Sequence, residues 1–165
     1  MDGKIFRLDL NLYLLEGATL KTNLEITMNE GRYLKFLYRK QREETSQIWT
    51  TDLAEVFRVK PATVTEMLQK LSKKGLLSYT RYHGADLSEK GIIEAKKLLR
   101  KHRILEVLFV NFLNYHSQKA CEEANELDHH VSDELTNTIC QVYGHPEICP
   151  CDKSIFTDSV CCDTI

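Results

Sequence analysis

His102 and Glu106 stand four residues apart, a spacing that projects an imidazole and a carboxylate from one face of a helix. Cys121, Asn125, Asp128 and His129 follow at i, i+4, i+7 and i+8, again a single helical face. Two helices packed with these faces together would converge imidazole, carboxylate and thiolate groups, the donor set that holds Fe²⁺, Zn²⁺ or Mn²⁺. The segment His145-Pro146-Glu147-Ile148-Cys149-Pro150-Cys151 adds two thiols. Proline pushes the residue before it towards extended backbone, so Cys149 and Cys151 can turn to one side and chelate. Plainer readings stay open: helical His–Glu pairs are more often solvated or salt-bridged, and two loop cysteines can be incidental. Cys140, on an apolar helix face, reads as core, and Cys161-Cys162 in a polar tail read as reactive or incidental thiols as readily as ligands.

A helical scaffold must position these groups, and the hydrophobic periodicity supplies one. Ser88 caps a long helix whose apolar residues, among them Ile92, Leu99, Ile104, Leu105, Phe109 and Phe112, spread widely enough to be buried on more than one side. A helix pair at about 117–130 and 132–143 follows, before a loop with Gly144, Pro146 and Pro150. Upstream, the apolar stripe predicts a first helix from Asn29 to about Arg42, and a short second one over Asp52–Phe57 capped by Thr50 or Thr51. Pro61 opens a third helix that Gly75 stops near Lys74, and residues 76–87 read as two short strands about a glycine-containing turn. Residues 1–27 alternate in hydrophobicity and read as an N-terminal extension, a β-hairpin, without an assigned function.

Helix, short helix, turn, longer helix, hairpin, helix is the order of a winged helix-turn-helix, whose third element enters the major groove of DNA. Lys60, Thr63, Thr65, Glu66, Gln69 and Lys70 lie on or beside that helix, with Val64, Leu68 and Leu71 facing the core. Thr and Gln reach base edges, while Lys60, Lys70, Lys73, Lys74 and Arg81 of the wing suit phosphates. Charge agrees: residues 28–103 hold 17 Lys/Arg against 9 Asp/Glu, and residues 104–165 hold 2 against 11, a swing from +8 to −9 that the whole-chain −2 hides. A basic module attracts polyanions and the acidic half attracts cations. The 165 residues, 42% apolar and 28% charged, have a soluble globular balance, with no run of ~20 uncharged apolar residues and no signal peptide. Cytoplasmic location and reduced cysteines follow as expectations.

With winged helix, His–Glu helix and Cys-Pro-Cys loop in this order, the chain resembles the diphtheria-toxin-repressor family of iron- and manganese-dependent transcription regulators, over about residues 29–156. The most specific pieces are residues 30–38 (EGRYLKFLY), 59–65 (VKPATVT), 100–103 (RKHR) with Glu106, 128–134 (DHHVSDE), and His145-Pro146 through Cys149-Pro150. The resemblance implies a mostly α fold with a small β-wing: a winged helix-turn-helix, 28–90, followed by an all-helical dimerisation and metal-binding domain, 91–156, and a short cysteine-containing tail, 157–165. It implies a homodimer on a palindromic double-stranded DNA operator, repressing metal-homeostasis genes when metal is bound. One metal site would draw on Glu106, Cys121, Cys149 and Cys151 with His102, and its soft donors favour Fe²⁺ or Zn²⁺ over Mn²⁺. Metal would then pull the Cys149–Cys151 loop against the long helix and fix the spacing of the two recognition helices.

The chain departs from the family at its second site. Asp128 and His129 match ligands, but Asn125 stands where a Cys or Glu is expected, Arg32 where a first-helix Met or Asp is, and Lys35 where manganese-type members carry Glu. A guanidinium cannot ligate a metal, so Arg32 is expected to replace the cation and pair with Asp128, leaving one functional metal site per subunit. The family's SH3-like C-terminal domain is expected to be missing, since 14 residues follow Cys151. Two rivals stand beside this reading: a redox- or iron–sulfur-sensing regulator using the C-terminal cysteines, and a metalloenzyme, for which no HExxH or other hydrolase motif is present.

Overall fold

The computed structural model describes residues 25–46, 48–80 and 84–162. Helix α1, Met28–Tyr38, starts one residue before the predicted position because Thr27 and Glu30 form a capping box. The Glu30 N–H donates to Thr27 Oγ1 at 3.4 Å and the Thr27 N–H to the Glu30 carboxylate at 2.7 Å. Thr27 is thus a helix cap and not the end of a strand. The rest of the expected N-terminal hairpin, up to residue 24, lies outside the described residues. The helix continues as one π-helical turn, Arg39–Glu43.

Helix α2, Thr50–Phe57, begins two residues early, and its end group is the Asp52 carboxylate, which accepts the Trp49 N–H at 3.0 Å, rather than a threonine hydroxyl. Helix α3, Pro61–Lys73, carries Pro61 in its first turn and ends before Gly75, whose φ of +72° closes the turn into the wing. Strands β1, Leu77–Thr80, and β2, Gly84–Leu87, pair antiparallel from Leu77↔Leu87 to Thr80↔Gly84.

Helix α4, Glu89–Leu113, is the spine. Ser88 caps it, accepting the Gly91 N–H at 3.1 Å and donating to the Gly75 carbonyl at 2.7 Å. Ala95 and Leu99 in its first half join Leu34, Leu37, Leu53, Val64, Leu68 and Leu71 in one core. Further along, Ile104, Leu105, Val107 and Phe109 join Ala120 and Ala124 of α5, Ser117–Leu127, and Ile139 and Cys140 of α6, Asp133–Val142, in a second. A short α7, Ser159–Cys162, closes that second core through Cys161. No described helix is long and apolar enough to cross a membrane.

The two halves meet where α4 leaves the wing, and the approach is close. A methyl group on Gly91 would stand 1.8 Å from the Leu76 carbonyl oxygen. Gly91→Ala is therefore expected to force α4 off the wing and to lower stability by about 1–3 kcal/mol. Urea unfolding checks this: the midpoint falls with an unchanged slope, whereas a wild-type midpoint would contradict the packing.

Candidate metal centre

Helices α4 and α5 bring three of the expected ligands together. His102, Glu106 and Cys121 place ligand atoms within 4.8 Å of one another. His102 Nε2 lies 3.0 Å from Glu106 Oε1 and 3.5 Å from Cys121 Sγ. The i, i+4 spacing aligns the first two along α4, and the small residues Ala120 and Ala124, both buried, let α5 approach closely enough to deliver Cys121. The Cys-Pro-Cys loop completes the group. The Asp152 N–H donates to the Cys149 carbonyl at 2.9 Å, making residues 149–152 a tight turn, and Ile148 bridges Ser154. That turn sets Cys151 Sγ 3.5 Å from Glu106 Oε1, with Cys149 against the same carboxylate. A recess of about 200 Å³ is lined by all five residues.

The electrostatics suit a cation. Burial alone would push the His102 pKa down, but Asp128, Cys121 and Glu106 outweigh it and raise it to about 9. Burial likewise opposes ionisation of Glu106, yet His102 and Cys149 hold its pKa at about 2. Burial first, and Glu106 second, push both loop thiols up, Cys151 to about 12. The metal-free group therefore carries an imidazolium and neutral loop thiols. Glu106 Oε2 is buried with no hydrogen-bond partner among the described residues, an acceptor left for a ligand. Two thiols from the turn, one from α5, a carboxylate and an imidazole fit a borderline-soft divalent ion.

Asp128 and His129 do not join this group. Asp128, buried at the end of α5, accepts from His102 Nδ1 at 3.1 Å and pairs with Lys35 of α1, whose ammonium also lies 3.3 Å from Asn125 Oδ1. The expected Arg32–Asp128 pair is thereby corrected: Arg32 reaches exposed Glu126 at 2.8 Å, while Lys35, 3% exposed, is the cation that pairs with Asp128. A compact ammonium on a flexible stem enters a closed slot that a planar guanidinium fork does not fill, so Arg32 stays at the rim. Desolvation lowers the Lys35 pKa, and Asp128 counters it. Among the described residues, His129 packs edge-on to His130 beside Gly31, its Nδ1 is buried with no hydrogen-bond partner, and it is in no group of three or more ligand atoms. In sequence Lys35 stands out only as a departure from the family pattern; its role depends on the slot that α1 and α5 form.

Lys60, at the N-cap of α3, and Thr63, Glu66, Gln69 and Lys70 on it are exposed, and Thr65 is half-buried with its hydroxyl on the Pro61 carbonyl at 3.0 Å. Arg81 lies outside the described residues. Two lysines have an intramolecular task that periodicity did not reveal: Lys74 and Lys70 reach the buried Glu30 carboxylate at 2.8 and 3.3 Å, tying α3 to α1. Burial pushes the Glu30 pKa up, but Lys74, the Thr27 N–H and Lys70 bring it to about 2. Because the folded value lies below 4.5, this stabilisation is complete above pH ~4.5 and disappears as pH falls towards 2. Glu30→Gln should therefore destabilise the chain at pH 7, with the gap to wild type narrowing below pH ~4.5; a gap that does not change with pH would deny the ion pair its role.

Comparison with known proteins identifies the family. The residue pattern of the iron dependent repressor N-terminal DNA binding domain matches residues 25–85, and that of the iron dependent repressor metal binding and dimerisation domain matches residues 88–157. An uncharacterised HTH-type transcriptional regulator of Methanocaldococcus jannaschii is 43% identical over 103 residues, which cover 62% of this chain and 82% of that protein. The HTH-type transcriptional regulator MntR of Lysinibacillus sphaericus is 31% identical over 102 residues, 59% of this chain and 73% of the relative. Among solved structures, a manganese-dependent transcriptional repressor in complex with manganese superposes with a TM-score of 0.73 and 31% identity over 79% of this chain. The match spans 59% of that repressor, so the chain corresponds to about three fifths of its length. The winged helix with its small two-stranded sheet, the helical module behind it and these matches agree: the chain belongs to the iron-dependent repressor family of metal-responsive, DNA-binding transcription regulators.

Proposed function

We propose that the chain is a metal-activated repressor of metal-homeostasis genes, a cytoplasmic homodimer without enzymatic activity that binds a palindromic operator through α3 and the wing. The observation that carries this reading is the convergence of His102, Glu106 and Cys121 beneath the Cys149–Cys151 turn, with Glu106 Oε2 left unpartnered. Those five residues would hold Fe²⁺, with Zn²⁺ or Mn²⁺ as alternatives, and the bound ion would supply a positive charge in place of the His102 proton. Asp128 orients the His102 ring through Nδ1 and answers to Lys35 of α1. Glu30, on the same helix, holds Lys70 of α3 and Lys74 at its C-cap, so the ligand set and the recognition helix are joined through paired charges. Arg103 adds a second connection, donating to the Ser154 carbonyl of the ligand loop and to Glu43 after α1. Exposed Phe112, Leu113, Leu135 and Val142 on α4 and α6 offer apolar surface for a dimer.

The experiment is a titration of Fe²⁺, Mn²⁺ and Zn²⁺ into metal-free, reduced protein under argon. Metal stoichiometry and fluorescence-anisotropy binding to the promoter of its own gene are read in the same samples. The expected result is an operator affinity that rises at least tenfold with metal, about 1.4 kcal/mol of coupling. Metal binding without a change in affinity would make the site structural and move the signal to the thiols.

A further inference from the structure

We propose that Cys140, His145, Cys161 and Cys162 hold a structural Zn²⁺ ion that fastens the C-terminal segment to α6. The ligand atoms of these four residues all lie within 4.8 Å of one another, and none of them belongs to the His102 group. His145 Nδ1 is 3.6 Å from Cys140 Sγ and 3.8 Å from Cys161 Sγ. A tetrahedral ion with Zn–S of about 2.3 Å and Zn–N of about 2.0 Å separates its ligand atoms by about 3.5–3.8 Å, so the side chains stand at ligand spacing.

Three separate elements aim the groups inward. Cys140 is in the last turn of α6. Gly144 and His145 both adopt left-handed φ, +67° and +56°, and the His145 N–H returns to the Cys140 carbonyl at 2.9 Å, which folds the imidazole back over the sulfur. Asp158 accepts the Val160 and Cys161 N–H groups at 3.0 and 3.2 Å, starting the turn that presents both adjacent cysteines. Three thiolates and a neutral imidazole around a divalent ion leave one negative charge. The buried Arg100 guanidinium lies beside Cys162, fixed through Nη1 to Asn137 Oδ1 at 2.8 Å, with Nε and Nη2 unpartnered among the described residues. It supplies the matching positive charge. Four protein ligands leave no open position, which suits a structural ion and not a catalytic or exchanging one. Cys161 and Cys162 also lie beyond residue 157, where the match to the family ends, so this site is separate from the sensor proposed above.

The test compares full-length variants purified anaerobically, loaded with Zn²⁺ and dialysed against a mild chelator. Zinc retained per subunit is read by mass spectrometry. A Glu106→Gln/Cys121→Ser/Cys151→Ser chain should still retain one equivalent, and Co²⁺ should give it the intense visible bands of tetrahedral, thiolate-rich cobalt. Adding Cys161→Ser/Cys162→Ser, or His145→Ala alone, should remove both signals while circular dichroism reports an intact helical fold. Retention unaffected by either change overturns the proposal. So does a Cys140–Cys161 disulfide, without zinc, in the anaerobically prepared protein.

Discussion

Asp128→Asn is expected to lower the stability of the metal-free protein by about 3–5 kcal/mol, the usual range when one member of a buried ion pair is removed. The substitution keeps the shape and a hydrogen-bond acceptor but deletes the charge. Lys35 and His102 both lean on that carboxylate, and both are buried. Without it, Lys35 is a buried cation with no counter-charge, and His102 keeps only Glu106. For a chain of this size the thermal midpoint should fall by about 10 °C. Adding Lys35→Met should restore a large part of the loss, because the unpaired buried ammonium is gone and His102 still has Glu106 as its counter-charge. Urea unfolding of wild type, both single variants and the double variant measures the coupling directly. Equal stabilities for the Asp128→Asn chain with and without Lys35→Met would refute the pairing as a stabilising element.

Glu106→Gln is expected to reduce the metal-driven rise in operator affinity from at least tenfold to less than twofold, while metal-free DNA binding stays at the wild-type level. The carboxylate touches His102 and both loop cysteines, so its charge organises the ligand set, and an amide gives one weaker acceptor in its place. Lys35→Met provides the complementary result. It leaves every proposed ligand intact, so stoichiometry should remain at the wild-type value, yet α1 loses its grip on Asp128 and the coupling to α3 should fall. Anisotropy titrations with and without metal separate the two variants. Full metal activation in Glu106→Gln would remove this residue from the centre.

Much of this organisation was written in local patterns. The i, i+4 spacing of His102 and Glu106, the Pro61 helix start, the Ser88 cap and the Cys-Pro-Cys loop each act within a few residues, and the structure places them as periodicity and turn chemistry require. The π-helical turn after α1 and the replacement of a threonine cap by Asp52 on α2 are local too, but there several cap geometries compete with little difference in energy.

The long-range pairings were decided by tertiary structure. Sequence alone predicted that a cation stands beside Asp128, since Arg32 and Lys35 offer no ligand atom in their charged forms. Which cation does so depended on depth: Lys35 and Arg32 share a face of α1, and the slot between α1 and α5 admits the ammonium while solvent keeps the guanidinium at the rim. The same holds for Cys140, His145, Cys161 and Cys162, whose separations along the chain carry no ligand motif. They meet because α7 packs back onto α6, bringing three thiols that individually read as core, reactive or incidental to the imidazole of the His145-Pro146 segment.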